Sequence, residues 1–159
     1  MSNPIPLKML RSPVHCFSFG FGAGLLPKAP GTWGTAVAFL FFLPMMKLSS
    51  TGYLFVLAAL ISFSVYAADY TSKALREHDH SAIVCDEIVG YLLVLLFTPQ
   101  NIMYMLLSFV LFRFFDILKP WPINFLDKNI TGGVGIVLDD IVAAFYAVAA
   151  LLFLQLYFL

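Results

Sequence analysis

Charge is scarce in this sequence. Only 11% of its 159 residues are Asp, Glu, Lys or Arg, whereas 61% are hydrophobic. A soluble globular domain carries roughly 25% charged residues, so this chain lacks the charge that a hydrated surface needs. Its 2 cysteines are too few for a disulfide framework. A net charge of zero does not indicate nucleic acid as a partner. These shortages argue against a soluble domain and against a disulfide-stabilised scaffold.

The remaining charges are unevenly distributed. Four runs contain no charged residue: 29–46, 48–68, 88–112 and 141–159. A bilayer core of about 30 Å needs about 20 mostly apolar residues in a helix. The third run contains Thr98-Pro99, a turn signal that divides it into two short helices. The sequence therefore predicts an all-α, polytopic membrane helix bundle in one domain over residues 1–159, with five spans at about 32–46, 50–68, 82–97, 101–117 and 136–157.

The basic residues support five spans and orient them. Five spans place every Lys and Arg except Lys47 on one side of the membrane, counting Arg113 by the helix end near it. Four spans would divide the basic residues almost equally between the two sides. Because Lys and Arg are enriched in cytoplasmic loops, the sequence predicts a cytoplasmic N-terminus. The loops after the second and fourth spans lie on that same face.

Acidic residues stand at the cytoplasmic ends of three predicted spans, each about one turn inside its helix. They are Asp86, Glu87, Asp116, Asp139 and Asp140. A carboxylate at the bilayer centre costs about 2.5–3.5 kcal/mol on insertion scales, and less near the interface. Hard divalent cations, which take oxygen ligands, would compensate such a group, and the spacing of a Cys/His zinc site is absent from the sequence. The sequence therefore predicts a metal site. The competing interpretation is that these acids are solvated or paired with Arg113 and Lys119.

Glycine-rich segments precede two of the predicted spans, at residues 20–35 and 132–135. Backbone N–H groups at a helix N-terminus bind anions, and threonine hydroxyls and basic side chains add further phosphate contacts. Such segments are also common as simple turns. The predicted phosphate-binding residues are Lys28, Thr32, Thr35, Arg113, Lys119, Gly132 and Gly133.

Four motifs follow one another between residues 20 and 140. They are Gly-Xaa-Gly-Xaa-Gly-Leu-Xaa-Pro-Xaa-Ala-Pro-Gly-Thr-Trp-Gly at 20–34, an Asp-Glu motif at 83–90, Arg-Xaa-Xaa-Asp followed by Lys-Pro-Trp-Pro at 112–123, and Gly-Gly-Xaa-Gly-Ile followed by Asp-Asp at 132–140. In this order and spacing they resemble the motifs of the phosphatidylglycerophosphatase A family. The resemblance extends over about residues 15–145.

The resemblance implies a multi-pass enzyme of the bacterial inner membrane whose active site faces the cytoplasm. Such an enzyme hydrolyses the terminal phosphomonoester of phosphatidylglycerophosphate, an anionic phospholipid, to phosphatidylglycerol and phosphate with Mg²⁺. The five acids would then be catalytic and hold magnesium, and the phosphate-binding residues would contact the substrate. Either a water molecule or an aspartate would attack the phosphorus.

Other membrane proteins also carry intramembrane acids. A small ion transporter or channel subunit is the main alternative, because such acids are typical of ion pathways. The clustering of the acids at one face and the lack of an inverted repeat argue against it. CDP-alcohol phosphotransferases carry aspartates four residues apart on one helix, and type-2 phosphatidic acid phosphatases need catalytic histidines. Neither pattern occurs in this sequence.

Overall fold

A computed structural model describes residues 5–157 of the chain. Within this range all regular structure is helical, which confirms the all-α prediction. Two 3₁₀ segments, Leu7–Arg11 and Gly20–Leu25, lie on either side of the first α-helix. The α-helices are α1 (Pro13–Ser18), α2 (Pro30–Met45), α3 (Ser50–Leu75), α4 (Cys85–Phe97), α5 (Ile102–Leu118), α6 (Ile123–Asn129) and α7 (Gly132–Tyr157).

Helix α4 lies at the centre of the bundle. It packs against α2, α3 and α7, while α7 also packs against α3, α5 and α6. Glycines allow the closest of these approaches. A Cβ added to Gly34 of α2 would lie 2.5 Å from the Cβ of Val84, and one added to Gly90 of α4 would lie 2.8 Å from the ring of Phe112. Because α4 is enclosed by its neighbours, the acids at its start lie inside the protein.

The outside of the bundle is strongly apolar. Large hydrophobic side chains such as Phe55, Val110 and Phe153 are mostly exposed on α3, α5 and α7. Helices α3 and α7 are each 26 residues long and apolar enough to cross a membrane, and α2 is a shorter apolar helix. An apolar exterior over long helices is what lipid contact requires, so the structure supports membrane association through at least these two helices.

The helix boundaries differ from the predicted spans by three residues or more at three places. Helix α3 continues past the predicted end at residue 68, where Asp69 and Lys73 form an ion pair of 2.6 Å one turn apart. Helix α4 begins at Cys85 rather than at residue 82. Helix α7 begins at Gly132 rather than at residue 136, and the Gly133 N–H donates to Asp69 Oδ1 at 3.3 Å. A side chain of α3 therefore accepts a hydrogen bond from a backbone N–H in the first turn of α7. A sequence pattern does not show such a contact between distant residues.

Candidate active site

A cavity of about 390 Å³ opens where the start of α4 meets the end of α5 and the middle of α7. The start of α2 and the loop before α4 complete its walls. All five predicted acids lie on it, together with both candidate cations of the third motif. Its polar lining residues are Thr32, Asp79, Ser81, Asp86, Glu87, Arg113, Asp116, Lys119, Asp139 and Asp140.

Asp86, Glu87 and Asp140 form the acidic trio, the tightest carboxylate group of the cavity. One oxygen from each lies within 4.8 Å of the others. Asp86 is only 7% exposed and Asp140 only 2%. Each member also has a buried oxygen without a hydrogen-bond partner among the described residues. An unpartnered buried polar atom lowers the stability of the folded protein by about 1–3 kcal/mol. A hard divalent cation bound to these carboxylate oxygens would offset that loss, so the acidic trio is a candidate site for such a cation.

The acidic trio comes from two helices, α4 and α7. Asp86 and Glu87 lie in the first turn of α4, where the helix dipole stabilises negative charge. Asp140 lies about two turns inside α7. The predicted depth of one turn was too small because α7 begins four residues earlier than predicted, at Gly132 instead of residue 136.

Arg113 connects two of the predicted acids to the start of α2. Its Nη1 lies 2.5 Å from Asp116 Oδ2 and 3.5 Å from Glu87 Oε1. The same nitrogen donates to the Thr35 hydroxyl at 3.5 Å, and Thr35 donates in turn to the Gly31 carbonyl at 2.8 Å. Asp116 is therefore paired with a guanidinium instead of joining the acidic trio. Thr35 does not line the cavity, and its hydroxyl accepts a hydrogen bond from the Arg113 side chain.

Lys119 holds the fifth acid in a similar way. Its Nζ donates to Asp139 Oδ2 at 2.7 Å and to Asp127 Oδ1 at 2.8 Å. Burial alone would lower the pKa of the Lys119 ammonium, but the hydrogen bonds to the two carboxylates outweigh burial and raise its pKa. Lys119 therefore pairs with Asp139 through Oδ2, while Asp139 Oδ1 is buried without a hydrogen-bond partner among the described residues. The five acids predicted as equivalent therefore differ in their partners. Asp86 and Asp140 form no ion pair among the described residues, Glu87 lies 3.5 Å from Arg113, and Asp116 and Asp139 form shorter ion pairs with Arg113 and Lys119.

Four of the predicted phosphate-binding residues do not line the cavity: Thr35, described above, and Lys28, Gly132 and Gly133. Lys28 is exposed on the loop before α2 and does not line it. Gly132 and Gly133 lie in the first turn of α7 and pack against α3, where a Cβ added to Gly133 would overlap the Val65 carbonyl oxygen. In the structure these two glycines contact α3, and their predicted role in phosphate binding stays a prediction. They permit close packing of α7 on α3.

Sequence reasoning also missed residues that shape the site. A Cβ on Gly31 would overlap Glu87 Oε1 and lie 2.8 Å from Arg113 Nη2, so only glycine leaves room for this pair. Its signal was present in the first motif, which contains Gly31. Asp127 and the two loop residues Asp79 and Ser81 belong to no motif or periodic pattern, and only the tertiary structure brings them to the site.

Comparison with known proteins agrees with these motifs. The sequence model of the phosphatidylglycerophosphatase A family matches residues 16–155. The chain is 38% identical to phosphatidylglycerophosphatase A of Haemophilus influenzae, over 99% of this chain and 98% of that protein. It is 40% identical to phosphatidylglycerophosphatase A of Escherichia coli, over 93% of this chain and 86% of that protein.

A third relative, from Bacteroides thetaiotaomicron, is named provisionally as a phosphatidylinositol-3-phosphatase. It is 36% identical over 80% of this chain and 84% of its own length. No solved structure matches the chain. The family model and the two close relatives cover nearly the whole sequence, and the chain belongs to the phosphatidylglycerophosphatase A family.

Proposed function

We propose that this protein hydrolyses the terminal phosphomonoester of phosphatidylglycerophosphate, releasing phosphatidylglycerol and phosphate. The observation that carries the proposal is a cavity in which the three carboxylates of the acidic trio lie together, each with a buried oxygen that has no hydrogen-bond partner among the described residues, and with Glu87 3.5 Å from Arg113. Two relatives that share most of this chain are named for that activity. Family membership favours this function over an ion transporter, the main alternative considered above.

The acidic trio would hold Mg²⁺. Its donors are carboxylate oxygens alone, and each member has an oxygen without a partner, which suits magnesium better than zinc. When bound, magnesium polarises phosphoryl oxygens and neutralises charge on the leaving oxygen. Asp116 and Asp139 were predicted as further ligands. Their contacts with Arg113 and Lys119 support a different role, in which they orient these two cations.

The cations of the cavity would bind the phosphoryl group. Arg113 is 14% exposed at its side chain, and a guanidinium forms strong charge-assisted bonds to phosphate. Lys119 adds a second positive charge, and Thr32 also lines the cavity. An oxygen of the acidic trio that does not bind the metal would orient the attacking water and accept its proton. Thr35 and Gly31 act indirectly, because they keep the Arg113 guanidinium beside Glu87.

The enzyme would lie in the bacterial inner membrane as a single domain of five spans, α2 to α5 and α7. Helix α4 has 13 residues, or about 20 Å, which is shorter than a bilayer core of about 30 Å. Because α2, α3 and α7 surround α4, this short helix need not cross the lipid by itself. The cavity lies at the end that carries nearly all the basic residues, which supports a cytoplasmic active site.

Phosphate release from phosphatidylglycerophosphate by detergent-purified protein tests the proposal. Release is expected with magnesium and should stop in EDTA. The Asp86→Asn variant should be inactive although it still inserts in the membrane. Glu77→Gln is a matched control, since Glu77 is exposed and does not line the cavity. Folded protein that releases no phosphate but conducts ions across vesicle membranes would overturn the proposal in favour of a transporter.

A further inference from the structure

One wall of the cavity takes no part in the proposed chemistry. It is the loop between α3 and α4, which contributes Asp79 and Ser81 to the lining. Both residues are exposed at the cavity. Neither forms a hydrogen bond or ion pair with another residue in the range 5–157. A carboxylate and a hydroxyl therefore face the space beside the acidic trio with their hydrogen-bonding capacity free.

The residue between them explains why both side chains reach the cavity. His80 is only 7% exposed, and its Nδ1 accepts the Ala82 N–H at 3.1 Å. The His80 carbonyl accepts a hydrogen bond from the Ile83 N–H at 2.8 Å, and the Val84 N–H donates to the Ser18 carbonyl at 2.9 Å. These contacts hold the His80 side of the loop against the protein interior. Asp79 and Ser81, the two neighbours of His80, line the cavity.

The charge of Asp79 decides what this wall can bind. A carboxylate repels the phosphoryl group, whose place is beside Arg113 and Lys119. It accepts hydrogen bonds from neutral donors instead, and the Ser81 hydroxyl both donates and accepts. The cavity, at about 390 Å³, falls within the range of about 300–1,000 Å³ typical of ligand sites. It has room for the part of the substrate that carries the phosphate.

That part is a glycerol unit. In phosphatidylglycerophosphate a free secondary hydroxyl stands on the carbon next to the one that bears the terminal phosphate. We propose that Asp79 and Ser81 bind this hydroxyl and thereby select phosphoglycerol headgroups over phosphomonoesters that lack it. The inference rests on the proposed function and adds a structural basis for its specificity for the headgroup. The Asp79 carboxylate accepts a hydrogen bond from the substrate hydroxyl, and the Ser81 hydroxyl donates one to its oxygen.

A site that binds a substrate hydroxyl rejects the analogue without it, because its polar groups are left unpaired. A hydrogen bond to a charged group contributes about 1.5–3 kcal/mol, which corresponds to roughly tenfold to a hundredfold in kcat/KM. The test compares phosphatidylglycerophosphate with an analogue whose headgroup hydroxyl is replaced by hydrogen. The two lipids are assayed in the same detergent micelles with magnesium, and phosphate release gives kcat/KM for each.

The wild-type protein is expected to prefer the hydroxyl-bearing lipid by about tenfold or more. Asp79→Asn and Ser81→Ala should each bring the ratio of the two kcat/KM values towards one. Ser81→Thr keeps the hydroxyl and should keep the ratio. Glu77→Gln is the matched control, because it removes a carboxylate from the same loop outside the cavity lining. Glu77 Oε2 lies 3.8 Å from His80 Nε2, so this variant also controls for a general disturbance of the loop, and it should leave the ratio at the wild-type value.

The outcomes separate this inference from the proposed function. If the wild-type protein cleaves both lipids equally well, the function stands and the hydroxyl site is refuted. If Asp79→Asn lowers kcat/KM for both lipids by the same factor, Asp79 acts on the metal, the phosphate or the fold, and the inference is wrong. If neither lipid releases phosphate, both the proposed function and the inferred specificity are refuted.

Discussion

Neutralising one member of the acidic trio should stabilise the metal-free protein while removing its activity. In the Asp140→Asn variant, the side chain keeps its shape but loses its charge. Two unit charges 4.8 Å apart repel by about 3.5 kcal/mol at an effective dielectric constant of about 20. Asp140 faces two such neighbours. Protonation and water relieve most of this repulsion, so we expect a net gain of about 1–3 kcal/mol in the free energy of unfolding.

Thermal unfolding followed by circular dichroism in detergent measures this gain. For a chain of this size, 1 kcal/mol shifts Tm by about 2–4 °C, so Tm in EDTA should rise by roughly 2–12 °C. Magnesium should raise the Tm of the wild-type protein, because a ligand of the folded state stabilises it. It should leave the Tm of Asp140→Asn unchanged, and this variant should release no phosphate.

The adjacent residue supplies a control of opposite sign. Asp139 accepts a hydrogen bond from Lys119 at 2.7 Å, so Asp139→Asn removes a favourable ion pair from a half-buried lysine. Its Tm in EDTA should therefore fall. If Asp140→Asn lowers Tm in EDTA as much as Asp139→Asn does, then the acidic trio is not a site of unrelieved repulsion, and the argument for a cation there is refuted.

Two further predictions concern the surroundings of the site. Gly31→Ala places a methyl group on Glu87 Oε1 and should lower kcat by about 10²-fold through misplacement of that carboxylate. Gly52→Ala, with nothing closer than 3.3 Å to its Cβ, should leave kcat unchanged, and an equal loss in both variants would contradict the packing argument. Burial lowers the pKa of His15 from its ordinary value of 6.5, so below about pH 6.5 the unfolded chain binds a proton that the folded chain does not, and stability falls as pH falls. His15→Gln should show a weaker fall in Tm between about pH 7 and pH 5, and an unchanged slope would exclude His15 as its source.

Sequence alone was sufficient for the helical class and for the end of the bundle at which the acids gather. Charge-free runs of the length of a bilayer predict apolar helices, since a backbone in lipid must satisfy its own hydrogen bonds, and the structure has two helices long and apolar enough to cross a membrane. The parity of the predicted spans then places Asp86, Asp116 and Asp140 at the same end. These conclusions depend on spacing along the chain, which is written in the sequence.

The division of the five acids depended on the tertiary structure. Asp139 and Asp140 are neighbours in sequence, but successive residues on a helix point about 100° apart. One therefore meets Lys119, and the other meets the start of α4. Which partner each acid finds is set by the rotation of α7 about its axis, and this rotation is fixed by close contacts with α3 such as that at Gly133.

The start of α7 and the loop before α4 show the same limit. The sequence of residues 132–135 suits a turn before a helix as well as the first turn of one, and a side chain from α3 selects the second. The side chains of Asp79 and Ser81 reach the cavity because His80 between them is buried. Such contacts join residues far apart in the chain, and local sequence patterns carry no information about them.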